Sequence, residues 1–144
     1  MEGDVVSRLK LTRQGALKIM DAVYAAAGEK AAKMSVAIVD DGGNLILFSR
    51  SDNAGLTTQN VAITKARAAA MTRMPSGKKS GSGKERSDHH ALAITMASGM
   101  DRFCTMEGGI PIKVKGQVIG GVAVSGVGDN DPEVAAAGAS ILDV

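Results

Sequence analysis

The chain has no tryptophan, one tyrosine (Tyr24) and two phenylalanines (Phe48 and Phe103). Single-stranded nucleic acids are gripped by stacking bases on aromatic rings, so this composition argues against such a ligand. A net charge of +2 is too small to imply a polyanionic partner, and no nucleic-acid partner is expected. The single cysteine, Cys104, allows no internal disulfide and fits a reducing compartment. No apolar run approaches the roughly 20 residues of a membrane span. Residues 1–10, MEGDVVSRLK, lack the apolar stretch of a secretory signal. A cytoplasmic protein without membrane contact is the expectation.

What is present is globular. Of 144 residues, 44% are apolar, supplied by Ala, Val, Ile, Leu and eight Met. That length suits one domain, 1–144, with a real core. Its firmest local signal lies near the C-terminus. Ile110, Ile112 and Val114 alternate with Pro111, Lys113 and Lys115, the period of a half-buried strand. A second strand follows over 117–125, hinged at Gly116. Simple alternation puts Val118, Gly120, Val122 and Val124 on one face and Ile119, Gly121, Ala123 and Ser125 on the other. The small residues of that second face would let a helix approach closely. Asp131-Pro132-Glu133 reads as an N-cap, a proline at the first helical position and an acid in the first turn of a final helix over 131–143.

Earlier in the chain, Thr12 caps a helix running to Ala27 and stopped by Gly28, with Ala16, Met20, Val23 and Ala27 on one face. Strands over 34–39 and 45–50 flank Asp40-Asp41-Gly42-Gly43-Asn44, whose glycines supply positive φ for a hairpin. The two acids there are read as turn-forming, with cation binding as the alternative. An alanine-rich helix spans 57–74 and ends at Pro75. The Gly/Ser-rich segment 76–90, SGKKSGSGKERSDHH, reads as a flexible basic loop. A short helix over 89–98 follows, capped by Ser87 or Asp88 and closed by Gly99, and 103–105 reads as a brief strand. The four strands are expected in one antiparallel sheet, because short glycine-rich connections favour hairpins over crossovers.

Several catalytic motifs fail on spacing. Gly83-Lys84 would need a glycine at 78 and Ser or Thr at 85 for a phosphate-binding loop; the chain has Lys78 and Glu85. Val124-Ser125-Gly126 lacks the first glycine of a nucleophile elbow. Asp129-Asn130-Asp131 starts like a calcium loop, but Val134 occupies its glycine position. Ser76-Gly77-Lys78-Lys79 matches a Ser-x-x-Lys pattern at little cost in so Ser/Lys-rich a segment. His89 and His90 are the only histidines. Adjacent helical positions point about 100° apart, so the two do not chelate one ion, and no conventional metal site is expected. At a helix N-terminus the dipole disfavours a cation. That leaves a lone pair for a single axial bond to haem iron; the bland alternative is a pair of solvated histidines.

Seven short stretches, in order, carry a resemblance: Val36-Ala37-Ile38-Val39-Asp40, Gly42-Gly43-Asn44-Leu45, Arg50-Ser51-Asp52-Asn53-Ala54, Ala62-Ile63-Thr64-Lys65-Ala66, Gly108-Gly109-Ile110-Pro111-Ile112, Gly116-Gln117-Val118-Ile119-Gly120 and Val124-Ser125-Gly126. The series resembles the GlcG/HbpS family, also called the haem-degrading domain family, which occurs too as the C-terminal domain of PduO-type cobalamin adenosyltransferases. The likeness covers residues 10–143. It implies an α/β (α+β) fold of profilin-like type, an antiparallel sheet packed with helices. It also implies assembly as dimers and often octamers, haem or corrinoid association in some members, and a setting in small-molecule catabolism. The chain departs from the family pattern in a longer, more basic 76–90 segment. It has no histidine in the first helix, where Gly15, Lys18 and Asp21 stand, so a haem ligand would be His89, His90 or a methionine.

Three functions follow as expectations. The first is a haem- or tetrapyrrole-binding protein with His89 or His90 as axial ligand. The second is an enzyme (isomerase, lyase or hydrolase) on a small carboxylated intermediate. There Arg50 and Lys65 would hold the carboxylate and Asp52, His89 or His90 would move a proton; the alternative is a surface Arg50–Asp52 pair and a solvated Lys65. The third is a non-catalytic accessory protein. In each case a homo-oligomer is expected, because few aromatics, an alanine-rich central helix and apolar residues on both faces of 34–39 suggest more apolar surface than the chain can hide alone. Any ligand site is expected where the 76–90 segment meets Arg50, Asp52 and Lys65, within one chain or across a subunit boundary.

Overall fold

The computed structural model describes residues 2–143. Helix α1 spans Arg13–Ala27. Thr12 caps it, its hydroxyl accepting from the Gly15 amide, and Gly28 stops it. A 3-10 turn over Gly28–Lys33 leads into β1 (Ser35–Asp40) and β2 (Leu45–Arg50). Helix α2 is Thr58–Thr72 and α3 is Asp88–Ser98. Strands β3 (Gly109–Val114) and β4 (Gln117–Ser125) form the second hairpin, turning through Lys115 at φ 52 and Gly116 at φ 77. Helix α4, Asp131–Ala139, closes the chain.

The four strands make one antiparallel sheet in the order β2-β1-β4-β3, so both hairpins and their pairing are as expected. Because β1 and β4 are central, both of their faces are buried. On one face Val36, Ile38, Ile112, Val122 and Val124 pack with Ala16, Ile19 and Val23 of α1 and Val134 and Ala135 of α4. On the other, Ala37, Val39 and Ala123 meet Ala62, Ala66 and Ala70 of α2. The result is three layers, thin on the α2 side because small residues meet small residues. A Cβ at Gly121 would lie 2.3 Å from the Ala66 carbonyl oxygen, so the helix backbone rests directly on the strand.

Four sequence expectations are corrected. Ile119 does not share the α2 face with Gly121 and Ala123; it packs with Val122 and Val124 on the α1/α4 side. The register explains this: Ile112 pairs with Gly120 and Lys113 with Val118, so Ile119 is the extra residue of a β-bulge, and alternation breaks there. Helix α4 ends at Ala139, short of 143, and a 3-10 turn over Gly128–Asn130 precedes it. The Asp131 side chain does not cap α4; it reaches back to the Val127 amide. Residues 103–105 form no strand; Phe103 and Cys104 are instead buried, with the Arg86 guanidinium 5.5 Å above the Phe103 ring.

Helix α3 stands outside the three layers. Only Ala91 of its 11 residues is buried, and it makes at most a grazing contact with any other helix or strand.

Candidate functional site

The residues singled out from the sequence fall into three neighbourhoods. The first is buried. Lys65 lies in the middle of α2 and is 3% exposed, so it is no solvated helix residue. Its Nζ donates to the Asp131 carboxylate (Oδ2, 3.0 Å) and to the Val124 carbonyl (3.1 Å). Asp131 in turn accepts from the Val127 amide at 2.9 Å. This interior ion pair joins α2, β4 and the start of α4, and an external carboxylate reaches the ammonium only by displacing Asp131. Gly108 and Gly109 leave room for it: Cβ atoms there would lie 2.8 Å from Lys65 Nζ and 2.2 Å from the Lys65 carbonyl oxygen. Beside it, burial pushes the Cys104 thiol above its ordinary value, the amide of Met106 and the Lys65 charge acting in the opposite sense.

The second neighbourhood is the exit of β2. Arg50 is exposed and pairs in register with Ser35, and Asp52 is exposed in the following turn. A cleft of about 430 Å³ opens between Tyr24, Ala32, Ser51, Asp52 and Asn53. The Tyr24 hydroxyl shares hydrogen bonds with Ser49 Oγ (2.6 Å) and Ser51 Oγ (3.3 Å), while Ser51 donates to the Ala31 carbonyl. Neither Lys65 nor a histidine lines this cleft. The hairpin acids further along serve the turn: Asp40 Oδ1 accepts from the Gly42 and Asn44 amides, both at 2.9 Å. Asp41 pairs with Arg8 at 3.2 Å. Among the described residues no cluster of three or more His, Cys, Asp or Glu is placed to hold a metal.

The third neighbourhood is the 76–90 segment. It folds into a small hairpin closed by Ser80 N–H to the Lys84 carbonyl and Arg86 N–H to the Lys78 carbonyl. Arg86 donates to the Gly77 and Lys79 carbonyls, and Ser76 donates to the Met106 carbonyl and accepts from the Gly109 amide. Underneath is a cleft of about 410 Å³ lined by Met74, Ser76, Lys78, Lys79, Gly81 and Glu107, among others. Ser87 caps α3, accepting from the His90 amide, so His89 and His90 occupy the first turn. Both are exposed, and neither ring has a hydrogen bond or ion pair among the described residues. Within one chain Arg50 and Asp52, Lys65, and the two histidines thus lie in separate neighbourhoods, so the single site expected from the sequence is not formed by one subunit alone. The Lys65–Asp131 pair escaped sequence reading because nothing local links positions 66 residues apart.

Lys78 anchors α3 to this hairpin through Asp88 (2.7 Å) and pairs with Glu85 within the hairpin (3.6 Å). The shared hydrogen bond lowers the Asp88 carboxyl below its usual 3.8 and raises Lys78 above its usual 10.5. A depressed carboxyl stabilises the folded form above the unfolded value and loses that contribution as pH falls through the folded one. A raised lysine contributes below 10.5 and loses it on going higher. The tie should thus be intact from about pH 4 to 10 and open at either extreme, with only a small effect on global stability because both groups are exposed. Amide exchange of residues 78–92 as a function of pH checks this; protection unchanged between pH 7 and pH 2.5 would contradict it.

A single four-stranded antiparallel sheet, sheathed by two helices on one face and an alanine-rich helix on the other, defines an α+β domain with its chemistry-bearing loops at the rim. Residues 11–140 match the HbpS-like family, described as haem degrading protein HbpS-like, and the chain belongs to that family. It is 34% identical over 112 residues to protein GlcG of Escherichia coli K12, covering 75% of this chain and 78% of GlcG. Its fold is similar to the crystal structure of a double mutant of HbpS from Streptomyces reticuli, at TM-score 0.75 and 28% identity, with 99% of this chain and 93% of that one aligned. It is also similar to Klebsiella pneumoniae protein ORFY, at TM-score 0.77 and 26% identity, over 95% of this chain and 94% of that one. Among the described residues no helix is long and apolar enough to cross a membrane.

Proposed function

We propose that this protein binds haem or a related tetrapyrrole as a homo-oligomer, a dimer or octamer, in the cytoplasm and in association with small-molecule catabolism. The observation that carries the reading is the state of α3. Two unpaired imidazoles stand on its first turn, and behind them Leu92 and Met96 are 62% and 68% exposed. Membership in a family described as haem degrading supports the same ligand.

The residues present fit the group. An imidazole with a free nitrogen is an ordinary axial ligand to haem iron, and methionine thioether is another. Leu92 and Met96 offer the apolar contact a porphyrin ring requires, and the exposed Lys79 and Lys84 ammonium groups, in no ion pair among the described residues, suit propionates. Bound haem supplies the redox and ligand-binding chemistry; this chain's part is to hold its iron through His89 or His90 and to shield one face. Haemin titrated into the purified protein should give a shifted Soret band at one equivalent per subunit. In a variant carrying both His89→Ala and His90→Ala the shift should disappear, with the melting temperature unchanged because both rings are exposed. A Soret band that persists in the double variant removes the histidines from the site, and the lack of any band in the native chain removes the tetrapyrrole.

A further inference from the structure

The cleft beside Tyr24 carries a chemistry that a tetrapyrrole held on α3 leaves unused. Its floor is fixed: the Ser51 amide donates to the Met34 carbonyl and the Ser51 carbonyl accepts from the Ala54 amide, both at 3.0 Å, while the Ser51 hydroxyl donates to the Ala31 carbonyl. With that hydrogen spent, Ser51 Oγ can only accept, from the Tyr24 hydroxyl 3.3 Å away or from a guest. The single Tyr24 hydroxyl hydrogen goes to Ser51 or to Ser49, 2.6 Å away. At the rim the Asp52 and Asn53 side chains are exposed and make no hydrogen bond or ion pair among the described residues. Of the polar side chains lining the cleft, Tyr24, Ser51 and Asp52 therefore present oxygen acceptors, and only the Asn53 carboxamide donates. We infer that this cleft binds a neutral polyhydroxylated molecule, a sugar alcohol or sugar, whose neighbouring hydroxyls donate to Asp52 and accept from Asn53.

Charge decides the class. A guest rich in hydrogen-bond donors is either an ammonium or a hydroxyl compound. Lys30 and Lys33 flank the Ala31-Ala32 rim, Arg50 precedes Ser51, and all three are exposed; Lys30 and Lys33 also line the adjoining cleft. Three cations around one exposed carboxylate leave the surroundings positive, which disfavours an ammonium ligand. None of the three lines the cleft itself, and Asp52 stands in it, so an anion meets like charge where it would bind. A neutral guest carries neither penalty. The Tyr24 ring gives its carbon-bound hydrogens an apolar surface, and a volume of about 430 Å³ lies within the range of small-molecule sites. The site is separate from the histidines of α3 and stands whether or not haem binds.

The test is titration of the isotope-labelled full chain with xylitol, read by the chemical shifts of its backbone amides. The amides of 24, 31–32 and 51–53 should shift and saturate in the millimolar range of a small uncharged ligand, with those of α3 unmoved. Putrescine and lactate, which carry the two disfavoured charges, should give no saturating shift at the same concentrations. Asp52→Ala removes the main acceptor at an exposed position and should raise the dissociation constant about 10- to 100-fold, with the melting temperature retained. Asp52→Asn keeps an oxygen acceptor and should hold xylitol within about 10-fold of the native affinity. The chain carrying both His89→Ala and His90→Ala should bind xylitol as the native chain does, so failure here and failure of the tetrapyrrole reading are told apart. Shifts that rise linearly without saturating, that saturate away from these residues, or that survive Asp52→Ala unchanged overturn the site. Putrescine or lactate saturating the same amides more tightly than xylitol overturns the class of ligand.

Discussion

Replacing Lys65 by methionine should lower the unfolding free energy by about 3–5 kcal/mol, the loss seen when one member of a buried ion pair is removed. Methionine fills much of the space, so the effect is electrostatic more than steric. The Asp131 carboxylate stays about nine-tenths buried with only the Val127 amide to compensate it, and the Val124 carbonyl loses its extra donor. Removing both charges, Lys65→Met with Asp131→Leu, should recover most of the loss, because two apolar side chains need no desolvation to be repaired. Urea unfolding of the two single variants and the double variant reads this as a cycle. A Lys65→Met loss below about 1 kcal/mol, the range of an exposed pair, would mean that the pair is solvated in solution.

The second large effect is expected at Gly121. A methyl group there would lie 2.3 Å from the Ala66 carbonyl oxygen and 3.1 Å from the Ala70 amide nitrogen. Both are helix backbone, which cannot rotate aside as a side chain can, so α2 must lift from the sheet. Gly121→Ala should therefore cost about 3 kcal/mol, the upper part of the range for overpacking, and Gly121→Val should fail to fold. Gly116, in the β3–β4 turn, has φ +77 and nothing within 4 Å of the added atom; Gly116→Ala should cost only the left-handed strain of about 1 kcal/mol. Denaturant midpoints for the two alanine variants compare contact with conformation directly. Equal losses would show that α2 is not held against β4 as tightly as the distances require.

Much of the architecture was legible because its causes are local. Thr12 and Gly28 bound α1 through cap chemistry, and the Gly42-Gly43 and Lys115-Gly116 turns mark the hairpins. The small side chains of Gly121 and Ala123 announced a close helix before its identity was known. The failures were of two kinds. Ile119 was misplaced because a bulge is a property of two strands in register, and one strand's alternation does not contain it. Helix α4 stops early because beyond Ala139 the chain turns to let Asp143 accept from the Lys115 amide, a contact 28 residues away in sequence.

The candidate site divides in the same way. The chemistry of its parts is a sequence property: two histidines following a helix cap, a charge-free apolar helix behind them, and lysines in a Gly/Ser-rich segment. Their grouping is not. Lys65, Arg50 and Asp52 look interchangeable as surface charges when read one at a time. Whether a lysine is a ligand donor or a structural ion depends on what stands within about 3 Å of its ammonium group, and Asp131 arrives there only through the β3–β4 hairpin and the turn that follows it. Sequence by itself determined α1 with its caps, the two hairpins, the alanine-rich α2 and the resemblance to the family. Tertiary structure decided that Lys65 is spent inside, that Arg50 stays outside, and that α3 is left uncovered, because burial is set by which distant surfaces meet.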